Sequence, residues 1–307
     1  MVDFKVKFRG VRGSFPVADK KFLQYGGNTS CVEINAGGHT IILDAGTGIV
    51  KAGDELMEKY ITSALEAENR SPIKAVVLLS HIHQDHLLGL TFFKPMHIKS
   101  AQIDIFGGGN KNSELEDNLS NLVFGKTFPL DLNDIQCKLN IHNLTEEYAI
   151  VLKNGKEPEL IEKDSFSPEK DVVVINFYKS YVHPQEGVII YKVSYKGKSL
   201  VYATDKESYL GGDKKFIQFS KNCDLLIHDA QYTSEDYLNP HSPKQGFGHS
   251  TYEMALEAMH QSGAKNLVFF HYDPSYDDSK LDKIKELYTS QNKNVYMAYE
   301  GFEFDIE

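Results

Sequence analysis

Directly after the apolar run Ala75-Val76-Val77-Leu78-Leu79, three histidines and an aspartate stand within six residues: His81, His83, Asp85 and His86. A short, unbroken apolar run is the pattern of a strand buried on both faces. Four ligand-type side chains packed at its end without a cation would set charge and unsatisfied donors against an apolar element, at a cost of several kcal/mol. A chain with this feature is therefore expected to bring a metal to the end of a buried strand. Imidazole and carboxylate donors together suit zinc, manganese or iron.

Three further apolar runs end the same way: Leu200–Ala203 at Thr204-Asp205, Leu225–Ile227 at His228-Asp229, and Leu267–Phe270 at His271. Side chains at the carboxyl ends of buried strands meet on one rim of a sheet, where α/β folds place ligands. His183 begins the loop leading into the strand-like Val188–Tyr195 and can reach the same rim. Other strand patterns fall at Phe4–Phe8, Cys31–Ile34, Thr40–Leu43, Val172–Phe177 and Val295–Ala298, with helical spacing near 52–69, 251–261 and 279–291. Between Ala101 and Lys170 the pattern weakens. The run Gly107-Gly108-Gly109 and the charged stretch 153–170 read there as loops and an insertion. No repeat or linker interrupts the 307 residues, a length near the upper limit for one hydrophobic core. A single domain over 1–307, with the insertion at about 101–170, is the expectation.

Charge narrows the partners. With a formal net charge of −10 and only Arg9, Arg12 and Arg70 as arginines, the chain has no basic stripe to follow a phosphate backbone. No long nucleic acid is expected as a partner. A small phosphorylated substrate stays open, because divalent metals can reverse the local field. Cys31, Cys137 and Cys223 lie far apart with no C-x-x-C pair, so they form neither a disulfide framework nor a zinc knuckle and read as buried thiols. No apolar stretch is long enough to cross a bilayer, and the opening MVDFKVKFRG lacks the apolar core of a secretory signal. The protein is expected in the cytoplasm, with no membrane partner.

The pattern His81-x-His83-x-Asp85-His86 resembles the H-x-H-x-D-H signature of the metallo-β-lactamase fold superfamily, and Leu43-Asp44-Ala45-Gly46-Thr47-Gly48 resembles its strand and glycine turn before the first helix. The resemblance covers almost the whole chain. It implies an α/β fold, the four-layer αββα sandwich, in which Asp44 braces the site. It also implies two divalent metal ions, zinc first, with manganese or iron as alternatives. On the family pattern one ion takes His81, His83 and His183, the other takes Asp85, His86 and His271, and Asp205 bridges them. Two such ions share a hydroxide and lower the pKa of bound water to about 7. A homodimer is implied by the same analogy.

Departures select the branch. Aspartate stands at Asp205 where many β-lactamases carry cysteine, and His83 replaces the glutamate of flavodiiron proteins. The carbon–phosphorus-pathway phosphodiesterases carry an early cysteine-rich zinc site, whereas only Cys31 lies in that region here. Downstream, HDAQYT and GFGHSTYEMALEAM resemble the H-E-A-T and G-H-S-T-x-x-x-A segments of the ribonuclease Z-like phosphodiesterases, with Asp229 replacing the glutamate. Ser250 and Glu253 form a capping-box pattern that opens a helix, and Gly263 closes it. His249 stands just before that helix on a glycine-flexed approach, placed to act as general acid with Asp229 orienting it. Asp85, His249 and Asp229 are thus the candidate catalytic residues. Asn28, Thr29 and Ser30 either line the site or serve as turn residues before a strand, and Asp273 either supports the site or caps a loop.

The reading is a dinuclear-metal phosphodiesterase acting on a small phosphodiester such as a cyclic nucleotide. Its alternatives are a lactone, thioester or β-lactam hydrolase on the same metals, or a transfer-RNA 3′-processing endoribonuclease. The last is disfavoured because no basic, glycine- and proline-rich arm is present and 101–170 is acidic. A metal-dependent sensor without turnover is the reading outside catalysis.

Overall fold

The computed structural model describes residues 3–108, 114–125, 128–165, 171–209, 211–290 and 292–306. The first strands are β1 (Phe4–Gly10), β2 (Cys31–Ala36), β3 (His39–Leu43), β4 (Lys74–Leu78), β5 (Gln102–Gly107), β6 (Lys138–Asn143), β7 (Tyr148–Leu152) and β8 (Glu159–Glu162). They are followed by β9 (Val173–Ser180), β10 (Val188–Tyr195), β11 (Lys198–Ala203), β12 (Leu225–Asp229), β13 (Leu267–Phe270), β14 (Val295–Met297) and β15 (Glu303–Asp305). The helices are α1 (Ile49–Thr62), α2 (Leu115–Leu122), α3 (Lys214–Phe219), α4 (Ser234–Tyr237), α5 (Tyr252–Ser262) and α6 (Asp278–Thr289).

These strands form two mixed sheets, ordered β15-β1-β2-β3-β4-β5-β6 and β14-β13-β12-β11-β10-β9-β7-β8. Period-two alternation explains why they stack with helices outside. In β3, Ile41 and Leu43 face the second sheet while Ile42 faces the helices; in β4, Val76 and Leu78 face inward while Ala75 and Val77 face outward. Strands apolar on both faces must be covered on both. The inner layer joins these residues to Ile175, Tyr191 and Tyr202 of the second sheet. Ile49 and Ala52 of α1, with Leu115 and Leu119 of α2, cover the outer face of the first sheet. Helices α5 and α6 pack on β13 and β14 of the second. The result is the expected αββα sandwich.

Parallel pairing sets the rim. β3, β4, β5 and β6 run parallel, as do β11, β12, β13 and β14. The ends of β3, β4, β11, β12 and β13 therefore deliver Asp44, the histidine loop, Asp205, Asp229 and His271. Ile189 donates its N–H to Ser80 O at 2.8 Å and Tyr191 its hydroxyl to Leu79 O at 2.7 Å, tying the histidine loop to the opposite sheet.

Two expectations are corrected. The stretch 101–170 is not a run of loops: β5 and β6 extend the first sheet, and β7 and β8 form the edge of the second. No unbroken apolar run marks β5 and β6, because alternate side chains there are polar; Asp104 accepts from Gln102 Nε2 at 3.0 Å and Asn140 Nδ2 at 2.7 Å along one sheet face. Gly109 and residues 166–170 of that expected loop region, and Gln291 at the expected helix end, lie outside the described residues. The cap of α5 is Thr251, whose hydroxyl accepts from Met254 N, and not Ser250. Ser250 Oγ is already engaged, donating to Lys206 O and accepting from Ser208 N at 2.9 Å. Gly263 closes the helix in the left-handed conformation, as expected. The cysteines are free and buried.

Arg9 of β1 is 2% exposed and bonds the carboxylate of Glu33 on β2 through Nε at 2.8 Å, and that of Glu55 on α1 through Nη2 at 2.6 Å. Removing one partner of a buried pair strands the other charge. Arg9→Ala is expected to lower the unfolding free energy by about 3–5 kcal/mol in urea titrations. Arg9→Met combined with Glu33→Leu should recover most of that loss.

Candidate metal centre

Three strand-end residues of the rim sit in the left-handed backbone region: Asp44 at φ 61°, Asp205 at φ 50° and His271 at φ 65°. Each such residue costs about 1–3 kcal/mol, and clusters of them mark functional sites. The sharp turn aims each side chain inward as its strand ends.

Around Asp205 the donors form two groups. Asp205 Oδ2 lies 3.7 Å from His81 Nε2 and 3.7 Å from His183 Nε2, and His183 Nε2 lies 3.0 Å from His83 Nδ1. Asp205 Oδ1 lies 3.2 Å from His86 Nε2 and 3.1 Å from His271 Nε2, and both of those nitrogens lie 3.2 Å from Asp85 Oδ2. Within each group, His81-His83-His183 and Asp85-His86-Asp205-His271, one ligand atom per residue falls within 4.8 Å of the others. Burial is complete or nearly so for all but the half-buried His83. Among the described residues, neither His81 Nε2 nor His86 Nε2 has a partner in hydrogen-bonding geometry, although carboxylate oxygens lie near both. Buried nitrogens of native proteins are rarely left so, and a cation is the partner such an arrangement calls for. The donor set fits divalent metal.

The opposite ring nitrogens are anchored. His86 Nδ1 is 2.7 Å from Asp44 Oδ2, His81 Nδ1 is 3.0 Å from Ser80 Oγ, His183 Nδ1 is 3.3 Å from Gly248 O, and His271 Nδ1 is 3.0 Å from Gln231 Oε1. Such outer contacts fix the tautomer and turn the inner nitrogen toward a metal. Burial pushes His81 well below the usual histidine range and His183 down to about 4, so both stand neutral with a lone pair free for coordination. Burial would also disfavour charge on Asp85 and Asp205, but the surrounding histidines hold both carboxyls well below their ordinary range. Two glycines make room: a Cβ on Gly13 would meet His271 Cε1 at 2.4 Å, and one on Gly248, at φ 90°, would meet His183 Nδ1 at 2.2 Å.

His249 lies beside this cluster, its ring stacked on His271 at 5.1 Å between centroids and its Nδ1 2.8 Å from Asp229 Oδ2. Its Nε2 has no hydrogen-bond partner among the described residues. Burial alone would lower its pKa; the charge and hydrogen bond of Asp229, then the charges of Asp205 and Asp85, outweigh that and raise it to about 9. Asp229 Oδ1 also accepts from Ser250 N at 2.9 Å and Gln231 N at 3.2 Å, so both of its oxygens are held.

All the candidate residues thus meet at one place, whereas several neighbours do not join them. His228 lies within β12, its Nδ1 2.7 Å from Asp229 O and its Nε2 3.2 Å from Ser208 Oγ. Asn28 bonds Glu300, Thr29 exchanges bonds with Thr47, and Ser30 Oγ donates to Arg12 O, so all three brace the turn. Asp273 caps its own loop at Ser275 N. Three supporting residues escaped the sequence reading. Gln231 orients His271. Ser14 N donates to Asp85 Oδ2 at 2.8 Å. Glu207 accepts from Gly246 N at 2.8 Å and Gly248 N at 2.9 Å, fixing the approach to His249. Only Gln231 left a trace, as a polar residue two places after Asp229.

Comparison with known proteins follows the same lines. Ribonuclease Z of Picrophilus torridus is 25% identical, over 99% of this chain and 96% of that protein. Among solved structures, the metallo-β-lactamase fold protein YhfI of Bacillus subtilis superposes with a TM-score of 0.64 at 19% identity, covering 98% of each chain. The short form of human tRNase Z does so with a TM-score of 0.61 at 18% identity, covering 99% of each. The family model described as the beta-lactamase superfamily domain matches residues 39–272, more than half of the chain. The chain therefore belongs to the beta-lactamase superfamily, as a hydrolase of the metallo-β-lactamase fold.

Proposed function

We propose that the chain hydrolyses phosphodiesters of nucleotides at a pair of divalent metal ions. The observation that carries this reading is the division of Asp205, with Oδ2 facing His81 and His183 and Oδ1 facing His86 and His271. In the proposed arrangement His81, His83 and His183 would hold one ion, Asp85, His86 and His271 would hold the other, and Asp205 would serve both. When bound, such ions supply Lewis acidity and a water activated for attack near neutral pH. Zinc, manganese and iron all accept these donors. Ser14 N–H on Asp85 and Gln231 on His271 would keep these two side chains oriented toward their ion.

His249 donates the proton that the departing oxygen needs, from its free Nε2, while Asp229 fixes Nδ1 and favours the charged ring. This dyad supplies the proton that a departing alkoxide takes up, as cleavage of an unactivated phosphodiester needs. The name of the Picrophilus torridus relative, ribonuclease Z, favours an RNA phosphodiester over the cyclic nucleotide that the sequence suggested. A net charge of −10 leaves the metal ions, and not a basic surface, to meet the phosphate. Such an enzyme would work in the cytoplasm; among the described residues no helix is long and apolar enough to cross a membrane.

The deciding assay uses protein loaded separately with zinc and manganese. Substrates are a short RNA with a 3′ extension, 3′,5′-cyclic AMP, a lactone and a β-lactam. Turnover of the lactone or β-lactam with both phosphodiesters silent would sink the proposal. In Asp205→Ala the metal content by elemental analysis is expected to fall from two ions per chain to one or none, and phosphodiester turnover to fall with it. In His249→Ala the loss is expected to follow the leaving group. Cleavage of RNA should drop by about 10²–10⁴-fold, while an ester that expels p-nitrophenolate, which needs no proton, should lose far less.

A further inference from the structure

Beside His83 the surface opens into a cleft of about 580 Å³. Its walls include Ile82, Leu87, Leu88, Phe92, Val123 and Phe128, and among the described residues that line it none is an acid, a lysine or an arginine. Phe92 is 61% exposed, Leu88 44% and Leu122 57%, an apolar patch at the mouth of a polar site. Phe92 meets Phe128 edge to face at 5.8 Å, and Phe128 meets the buried Phe124 in the same way at 6.0 Å. One aromatic wall is thus anchored in the core while Phe92 faces solvent.

Two amides frame this wall. Gln84 follows His83 directly, and Gln185 follows His183 by two residues. Both are exposed, and neither side chain has a hydrogen-bond partner among the described residues. Gln185 also holds a left-handed backbone at φ 66°, uncommon for a residue other than glycine. Each amide offers one acceptor and two donors, the groups that read the edge of a base.

We propose that this cleft holds the nucleobase attached to the scissile phosphate, packed face-on against one ring of the Phe92–Phe128 pair and edge-on to the other, and read at its edge by Gln84 and Gln185. The proposal rests on the phosphodiesterase reading and adds a substrate class to it. A planar group with hydrogen-bonding edges fits an aromatic wall closed by amides. The phosphate itself would fall beside His83, on the metal side.

The test compares three esters that share a p-nitrophenolate leaving group: uridine 5′-(p-nitrophenyl phosphate), hexyl p-nitrophenyl phosphate and methyl p-nitrophenyl phosphate. The uridine ester is expected to exceed the methyl ester in kcat/KM by about tenfold or more, within the range that base–aromatic stacking supplies. Phe92→Ala and Phe128→Ala should each erase most of that preference through KM, and Phe92→Tyr should restore it. Equal losses on the uridine and methyl esters, or a hexyl ester favoured as much as the uridine ester, would overturn the proposal.

If no ester turns over, the phosphodiesterase reading falls, and calorimetry still decides the cleft. Binding of uridine 5′-monophosphate at least about tenfold tighter than ribose 5-phosphate, lost in Phe92→Ala, supports the base site. Equal affinity for the two rejects it.

Discussion

One buried carboxylate holds the two halves of this molecule in register. Asp44, at the end of β3, accepts from Ser80 N at 2.7 Å, Ser80 Oγ at 2.8 Å and Tyr202 Oη at 2.8 Å, and lies 2.7 Å from His86 Nδ1. Ser80 and His86 belong to the histidine loop after β4, and Tyr202 belongs to β11 on the facing sheet. An uncompensated charge in a fully buried place would be costly. Here each partner offsets part of that cost, and the shared acceptor fixes loop, histidine and opposite strand at once.

That bracing explains how a site can draw on residues from 81 to 271 and stay ordered. His81, His83, Asp85 and His86 come from the first sheet, and His183, Asp205 and His271 from the second. Neither group is complete alone. Tyr191 and Ile189 add bonds from β10 to Leu79 and Ser80, so the histidine loop is held from the facing sheet as well as from its own strand. The left-handed turns at Asp44, Asp205 and His271 recur on both rims because a strand running straight on would carry these side chains past the gap.

Much of this was legible in the residues themselves. The donor cluster announces itself because four polar groups beside Ala75–Leu79 have no other physical excuse. Asp205 and His271 follow apolar runs whose parallel pairing brings their ends together. His249 was legible from its glycines, one of which proves to leave space for His183. What stayed hidden depends on contacts that no local pattern encodes. Ser14 reaches Asp85 and Glu207 reaches Gly246 and Gly248 only through the folded chain. The strands β5 and β6 escaped because alternate side chains there are polar and bond one another along one sheet face, as Asp104 does with Gln102 and Asn140, so no unbroken apolar run marks them. The α5 cap shifted from Ser250 to Thr251 for a similar reason, since the Ser250 hydroxyl was already bound to a neighbouring loop.

Because the donors sit on facing rims, the thickness of the layer between the sheets acts as a gauge for the distance between them. Tyr191, Tyr202, Ile175, Val76 and Leu78 set that thickness, and none of them supplies a donor to the cluster. Packed interiors change spacing when side-chain volume changes, since they hold few voids to absorb it. The constraint on these core positions is therefore dimensional as well as thermodynamic: a substitution there can preserve the fold and still move one rim away from the other.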